Sequence, residues 1–299
     1  NLQVLERLEY IAGMYVPFVK LDVRNRPALN KVFEQYSIDA VIHTAAFKSI
    51  EESRLKPLEY YNDNLSCIMS LMRSMQRTGV RNLVHLSSLA VYGQSSLELN
   101  ENTPFNFNNS NPYIKSQQMI EEIIRDTVKT DNEWNVAILR IGNVVGAFEQ
   151  AVLGEFVQPL PKNIVPLALQ VATMQRDYIE LQQTAQTEDQ TVERSFVHVL
   201  DVCDAIFASL YWFNHQQNVC ESFDIGGYSL SIQQILTEIK QVTGQQIKTI
   251  EATYSFDELD QIGSNSSKAE QLLGWKAKRS VEKMIQDQWQ FYQSTLNLS

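Results

Sequence analysis

The sequence carries eleven glycines, and none of them falls in a G-x-x-G-x-x-G or G-x-G-x-x-G pattern; the first, Gly13, stands alone. A glycine-rich turn feeding a helix N-terminus is the usual cradle for a dinucleotide pyrophosphate, so that device is absent from these residues. Cysteine is as scarce. Cys67, Cys203 and Cys220 make no C-x-x-C pair, and His43, His85, His198 and His215 are scattered. This argues against a metal site and a disulfide framework, and for reduced thiols in the cytoplasm. Basic residues are the minority, 25 Lys and Arg against 35 Asp and Glu, for a net charge of -10. With no basic run to offset that charge, nucleic acid and anionic membranes are poor partners. No apolar run reaches membrane-spanning length and no signal peptide is visible. A small-molecule site is the class that remains.

With 44% hydrophobic residues over 299 positions, the chain can bury a large core, as one big domain or two interlocked ones. Phe18 to Val23 and Ala40 to Ala46 read as short strands, separated by the amphipathic stretch Arg26 to Tyr36. Pro57 opens a helix running to Arg77, which Gly79 closes. Asn82 to Ser88 reads as a buried strand, polar at the end where a parallel sheet puts its active edge. A helix from Tyr113 to Val128 and a strand over Val136 to Ile141 follow. This alternation predicts an α/β fold with a doubly wound parallel sheet.

Beyond Val144 the pattern loosens: Pro159, Pro161 and Pro166 break it, and Gln182 to Thr191 is a polar loop. It resumes with a strand from Ser195 to Val199, a helix from Val202 to Phe213 and a strand from Phe223 into Gly226-Gly227. Ser231 caps a helix from Ile232 to Val242. The tail, through Gly274-Trp275 to a helix from Val281 to Tyr292, is compact and not a linker.

Two segments carry the chemistry. Ser87-Ser88-Leu89-Ala90-Val91-Tyr92-Gly93 ends a strand in hydroxyls, and Pro112-Tyr113-Ile114-Lys115-Ser116-Gln117 opens a helix on a tyrosine. A tyrosine acts as a general base near neutral pH only if its pKa falls several units below about 10, each unit being ~1.36 kcal/mol. A lysine one helical turn away supplies roughly 4 kcal/mol at about 4 Å in a partly screened site. Here that position holds Gln117, which can hydrogen-bond a ribose but carries no charge. Lys115 lies two residues after Tyr113, on the other side of the helix.

The chain resembles the extended short-chain dehydrogenase/reductases and, within them, the UDP-glucose 4-epimerases, over nearly its whole length. The resemblance is carried by Leu21-Asp22-Val23-Arg24-Asn25, by His43-Thr44-Ala45-Ala46-Phe47-Lys48 with Glu52-Ser53, and by Lys56-Pro57-Leu58-Glu59-Tyr60-Tyr61. Thr187-Glu188-Asp189 with Arg194 to Val199, and Ser267-Lys268-Ala269 with Leu273-Gly274-Trp275, extend it to the end. It implies a Rossmann-type dinucleotide-binding part over residues 1–143 and 194–227, and a smaller substrate-binding part over 144–193 and 228–299. It implies an isomerase of sugar-nucleotide and galactose metabolism, using NAD to epimerise a UDP-sugar. In the family the tyrosine takes the proton of the sugar 4-hydroxyl while hydride passes to NAD, and the turned-over keto sugar receives it back.

On this resemblance Ser88, Tyr113 and Gln117, in the lysine position, are the catalytic set. Asp22 and Val23 lie along the adenine, with Ala45, Lys48 and Asn64 near the cofactor. Asn143, Asn163 and Arg194 hold the UDP-sugar, the arginine at a phosphate; no metal is implied. The helices Pro57 to Arg77 and Tyr113 to Val128 resemble the pair through which such epimerases dimerise, with Tyr60, Leu65, Ile68, Met69 and Met72 as the apolar stripe. A cytoplasmic homodimer is expected.

The departures from the family have their own implications. Its first strand, glycine loop, following helix and second strand are expected before Asn1, so the first strands of the sheet are missing from this chain. The family's Asn-x-x-Gly-Thr reads Asn64-Leu65-Ser66-Cys67-Ile68, and an aromatic pair after Arg140 reads Ile141-Gly142. Phosphate-binding arginines expected before Ser267 are replaced around Tyr254 and Ser255. These changes predict impaired NAD binding and impaired activity. They leave three alternatives: an epimerase, a catalytically inactive sugar-nucleotide-binding or dimerisation partner, or a gene remnant.

Overall fold

The computed structural model of the protein describes residues 2–93, 99–107, 111–148, 151–156, 161–184, 187–252, 261–262 and 265–296. Its first half contains α1 (Leu2–Ala12), α2 (Arg26–Gln35), β1 (Ala40–His43), α3 (Ile50–Leu55), α4 (Pro57–Thr78) and β2 (Asn82–Ser88). A 3-10 turn (Leu89–Tyr92), α5 (Pro112–Lys129), β3 (Asn135–Ile141) and β4 (Asn143–Val145) follow. Then come α6 (Ile164–Ala172), β5 (Ile179–Leu181), β6 (Glu193–His198), α7 (Val199–Phe213), β7 (Val219–Ile225) and β8 (Tyr228–Ser231). The chain closes with α8 (Ile232–Thr243), β9 (Thr249–Glu251), β10 (Gln261–Ile262), α9 (Ser267–Leu273) and α10 (Val281–Leu296).

The principal sheet is parallel, in the order β1-β2-β3-β7. Val136, Ala137, Ile138 and Leu139 of β3 have no exposed surface. A strand covered on both faces reads as an unbroken apolar run, which is how this one appears in the sequence. α2, α4 and α5 cover one face through Leu29, Phe33, Ile68, Met75, Ile120 and Ile124. α7, α9 and Trp275 just beyond α9 cover the other, with Val202, Ala205, Phe213 and Ala269 from the two helices. The doubly wound sheet read from the alternation is the sheet observed. α4 begins on Pro57, where an N–H has no intrahelical partner to lose, and ends on Gly79 in the left-handed region at φ 77°.

Three expectations need correction. Phe18 to Val23 is not a strand. Its pattern is apolar, but no described strand lies beside it to share a hydrogen-bond ladder, and a strand exists only by pairing. Phe18 and Val19 are exposed, while Leu21 and Val23 pack against the α2–α4 layer. β1 stops at His43 instead of Ala46, because Asn64 of α4 captures the backbone of Phe47: its Oδ1 accepts from the Phe47 N–H at 2.8 Å and its Nδ2 donates to the Phe47 carbonyl at 3.1 Å. The proposed stripe on α4 largely faces inward. Tyr60, Ile68 and Met72 are buried within the chain, and of the five only Met69 is exposed.

The second layer is built from β4, β6, β8 and β10 with α6, α8 and α10. β6 pairs with β4, β8 and β10, yet Phe196 points into the second core and Val197 into the first, so this strand joins the two layers. α6 was not legible because Pro166 reads as a breaker. It stands in the first turn of the helix, where a missing N–H costs nothing. Ser231 caps α8 as expected, in a reciprocal pair with Gln234.

Two histidines lie buried between the sheet and α4. His43 Nδ1 and His85 Nδ1 are 3.0 Å apart with stacked rings, and Cys67 Sγ is 3.5 Å from His43 Nε2. One Nδ1 must donate and the other accept. Burial holds His43 neutral down to about 4, and burial, then the charge His43 can carry, holds His85 well below its ordinary value. The unfolded chain protonates both near 6.5, so folding stability falls as acid carries the protein through that window towards about 4. Each histidine contributes up to ~1.4 kcal/mol per pH unit there. His85→Phe should remove about one such contribution from the slope of the urea-unfolding free energy between about pH 6 and about pH 4.5. An unchanged slope would assign the acid sensitivity elsewhere.

Candidate functional site

A cavity of about 730 Å³ opens at the C-terminal ends of β2 and β3, where the chain crosses from the principal sheet into β4 and the second layer. Parallel sheets place their sites at this edge. Ser88, Tyr113, Gln117, Asn143, Asn163 and Arg194 all line it, as does Lys48. Seven residues from six separate chain segments therefore meet at one place. A second chamber of about 550 Å³ continues from it and shares Lys48, Asn143, Glu155, Asn163, Arg194 and Gln288.

Local structure aims each of them. Ser88 ends β2 and caps the 3-10 turn, its Oγ accepting from the Ala90 N–H at 3.2 Å. Asn111 caps α5 by accepting from the Ile114 N–H at 3.0 Å, which sets Tyr113 in the first turn. Burial raises the Tyr113 phenol above its ordinary value; a hydrogen bond with Ser88 pulls it down, and the Tyr60 phenol pushes it up. Gln117, one turn along, is 2% exposed and its Nε2 finds no protein partner. The site thus has the hydroxyl pair, and among the described residues no cation is one of the groups that shift the Tyr113 phenol.

Charge collects at the junction of the two chambers. Lys48 follows β1, and Arg194 opens β6 with its guanidinium donating to the Glu193 carbonyl at 2.8 Å. Glu155 is pushed up by burial and pulled down by Lys48. Asn163 sits at the N-cap of α6 but makes no capping bond, so its side chain is left to the cavity. Gly146 is at φ 99°, and a Cβ there would stand 2.6 Å from His198 Nε2. Only glycine allows that approach. His198 is held by Asp287, 3.1 Å from its Nε2, and by the Leu200 N–H donating to its Nδ1 at 3.0 Å.

Four of the expected site residues do not line either chamber. Asp22 is at the surface, hydrogen-bonded and ion-paired to Arg24, and Arg24 in turn meets Asp63. Val23 packs on the α2–α4 layer, and Ala45 is exposed beyond β1. Asn64 is 2% exposed and its amide is used up on Phe47 and Ser116. Tyr254 and Ser255 lie outside the described residues. Sequence reading missed Glu155 and Gln288, which come from a loop and from α10 and carry no local signal of a site. Gln288 Oε1 accepts from the Gly146 N–H at 2.9 Å.

Comparison with known proteins gives the geometry its family. A family model described as the NAD dependent epimerase/dehydratase family matches residues 2–226. UDP-glucose 4-epimerase 2 of Arabidopsis thaliana is 34% identical over 292 residues, 97% of this chain and 83% of its own length. Human UDP-glucose 4-epimerase is 34% identical over 290 residues, 96% of this chain and 83% of its own. Among solved structures, the UDP-glucose-4-epimerase from Stenotrophomonas maltophila with bound NAD and formylated UDP-arabinopyranose superposes with a TM-score of 0.95 at 29% identity, covering 100% of this chain and 89% of that one. The UDP-glucose 4-epimerase from Bifidobacterium longum in complex with NAD+ and UDP gives 0.93 at 30% identity, over 98% and 88%. Fold, cavity and sequence agree: the chain belongs to the NAD-dependent epimerase/dehydratase family and within it is UDP-glucose 4-epimerase-like.

Proposed function

We propose that the cavity binds a UDP-hexose, with Ser88 and Tyr113 at the sugar and Arg194 at a phosphate, and that the chemistry of a 4-epimerase is impaired in this chain. The observation that carries the proposal is the meeting of Ser88, Tyr113, Gln117, Asn143, Asn163 and Arg194 in one cavity. A guanidinium at the chamber junction suits a phosphate oxygen, and Asn143 and Asn163 supply neutral donors and acceptors for the rest of the ligand. Ser88 holds the Tyr113 hydroxyl in place. The phenol keeps its proton at neutral pH, because Gln117 brings no charge to offset burial. The residues 1–143 with 194–227 and 144–193 with 228–299 are taken as the dinucleotide-binding and substrate-binding parts.

NAD is met here by an incomplete set of residues. The orphaned Nε2 of Gln117 is a donor a nicotinamide ribose could use. At the other end the Asp22 carboxylate is committed to Arg24 and would have to leave it to meet the adenine. No G-x-G-x-x-G turn exists to hold the pyrophosphate. Ala45, Lys48, Asn64 and Val23 do not replace it. The chain alone therefore holds NAD weakly, and a sugar-nucleotide-binding relative without turnover is the second reading this favours.

Association through α4 and α5 is retained as part of the proposal, on a narrower surface than the sequence suggested. Met69 and Met119 stand exposed on the two helices. The free cysteines and acidic charge suit the cytoplasm, and among the described residues no helix is long and apolar enough to cross a membrane.

Calorimetric titration tests the cavity. UDP should bind the chain, Arg194→Ala should weaken it by about tenfold or more (~1.4 kcal/mol), and NAD should give no tight binding. UDP affinity unaffected by Arg194→Ala would remove the phosphate role, and tight NAD binding would show that another segment replaces the glycine loop. Gln117→Lys should lower the pH at which the Tyr113 phenolate absorbance appears, read against Tyr113→Phe. It should also raise any UDP-galactose epimerisation by roughly two to three orders of magnitude or more at neutral pH, since even an ordinary phenol near 10 is only about one part in a thousand ionised at pH 7 and burial raises Tyr113 further. The advantage should shrink as the pH rises to 10 and beyond. Identical phenolate titrations would mean that residue 117 does not control the base. Light scattering at tens of micromolar should report a dimer, and Met69→Lys should dissociate it; a monodisperse monomer would end that part of the proposal.

A further inference from the structure

Two adjacent residues of α10 clamp the strands that carry Asn143 and Arg194. Asp287 Oδ2 lies 3.1 Å from His198 Nε2 at the end of β6, and Gln288 Oε1 accepts from the Gly146 N–H at 2.9 Å, one residue past β4. β4 and β6 pair in parallel, with Val145 beside His198, so the clamp takes hold of both strands at the same end. Met284, Ile285 and Tyr292 of the same helix are buried in the second core, which fixes α10 against the two strands.

The clamp decides which way the Gln288 amide faces. A backbone N–H can only donate, so the side-chain oxygen has to meet Gly146 and the NH2 group is left for another partner. The side chain is 2% exposed, and its Nε2 finds no acceptor in the protein. Buried donors are almost always paired, because the hydrogen bond to water given up on burial has to be replaced. Among the described residues, Gln117 and Gln288 are the buried side chains with such a donor that also line the cavity. Gln117 stands at the phenol end. Gln288 lies on the wall of both chambers, at the waist between them, with Lys48, Asn143, Glu155, Asn163 and Arg194 as the other polar side chains common to both. Two cations and three amides against one carboxylate suit an anionic oxygen, and an acceptor is what Gln288 lacks.

We propose that Gln288 is a ligand-binding residue: its Nε2 donates to a phosphoryl oxygen of a ligand that spans the two chambers, completing with Lys48 and Arg194 an anion site at the waist. The ligand's class rests on the reading of the cavity as a UDP-sugar site; the orientation of the amide and its unmet donor do not. A ligand that fills both chambers has to cross the waist, and in a nucleoside diphosphate sugar the diphosphate lies between the two bulky ends. There Gln288 supplies direction where Lys48 supplies only a point charge, and it rewards an acceptor oxygen over a neutral group of the same size.

Calorimetric titration of inorganic pyrophosphate, UDP and uridine into the wild type, Gln288→Glu and Gln288→Met tests this. The glutamate keeps an oxygen for the Gly146 N–H and loses the donor; the methionine loses both and brings no charge. Each variant should bind pyrophosphate and UDP about tenfold more weakly or worse, and uridine within about twofold of the wild type. Wild-type affinity for the phosphate ligands in either variant overturns the proposal. An equal loss of uridine overturns it too, since Gln288 would then serve only to hold Gly146. Should one variant fail to fold, the other decides. A wild type that binds pyrophosphate but not UDP ends the nucleotide reading and leaves Gln288 to be judged on pyrophosphate; one that binds only UDP leaves it to be judged on UDP. Binding of neither overturns both.

Discussion

The buried ion pair between Arg140 and Glu121 is the constraint on which the site's architecture hangs. Arg140 lies one residue short of the point where β3 leaves the principal sheet, and Glu121 lies on the helix that carries Tyr113. Their contact is bidentate, and the guanidinium is also sandwiched near the Tyr92 and Phe105 rings, at 4.8 and 5.2 Å from their centroids. Two charges out of water contribute little net stability as a pair. Losing one partner is different, since the stranded charge costs about 3–5 kcal/mol. The pair is satisfied with α5 in the register observed against β3, and in that register the Tyr113 phenol meets Ser88.

Around that frame the two ends of the cavity are unlike. The end where the chambers join is lined by two cations, Lys48 and Arg194. At the phenol end burial first, and then the Tyr60 phenol, hold the proton on oxygen against the hydrogen bond with Ser88. Under the proposed reading, a site with this polarity recognises a nucleotide more readily than it ionises a hydroxyl. Recognition and turnover are thus uncoupled at a single side chain, Gln117, under the proposed reading.

Local pattern made much of this legible. The unbroken apolar run of β3, the Pro57 and Gly79 ends of α4, and Ser231 ahead of α8 each declare themselves within a few residues, because backbone geometry and solvent exposure act locally. The Ser88–Tyr113 pair was legible for the same reason, as the end of one element and the start of another. What failed to show depends on partners remote in sequence. Phe18 to Val23 has a strand's composition and no ladder to join. Asn64 looks like a polar residue available to a ligand until Phe47 and Ser116 are seen to occupy it. Tyr92 donates to Asp224 across 132 positions, and nothing in either neighbourhood announces the other.

The hold of Asn64 on Phe47 has a consequence for the loop after β1. One buried amide ties the Phe47 backbone to α4 and, through the Ser116 hydroxyl, to α5. The segment that carries Lys48 is thereby riveted to two helices at a single point, and a side chain unable to bond there would leave the Phe47 peptide groups without their partner.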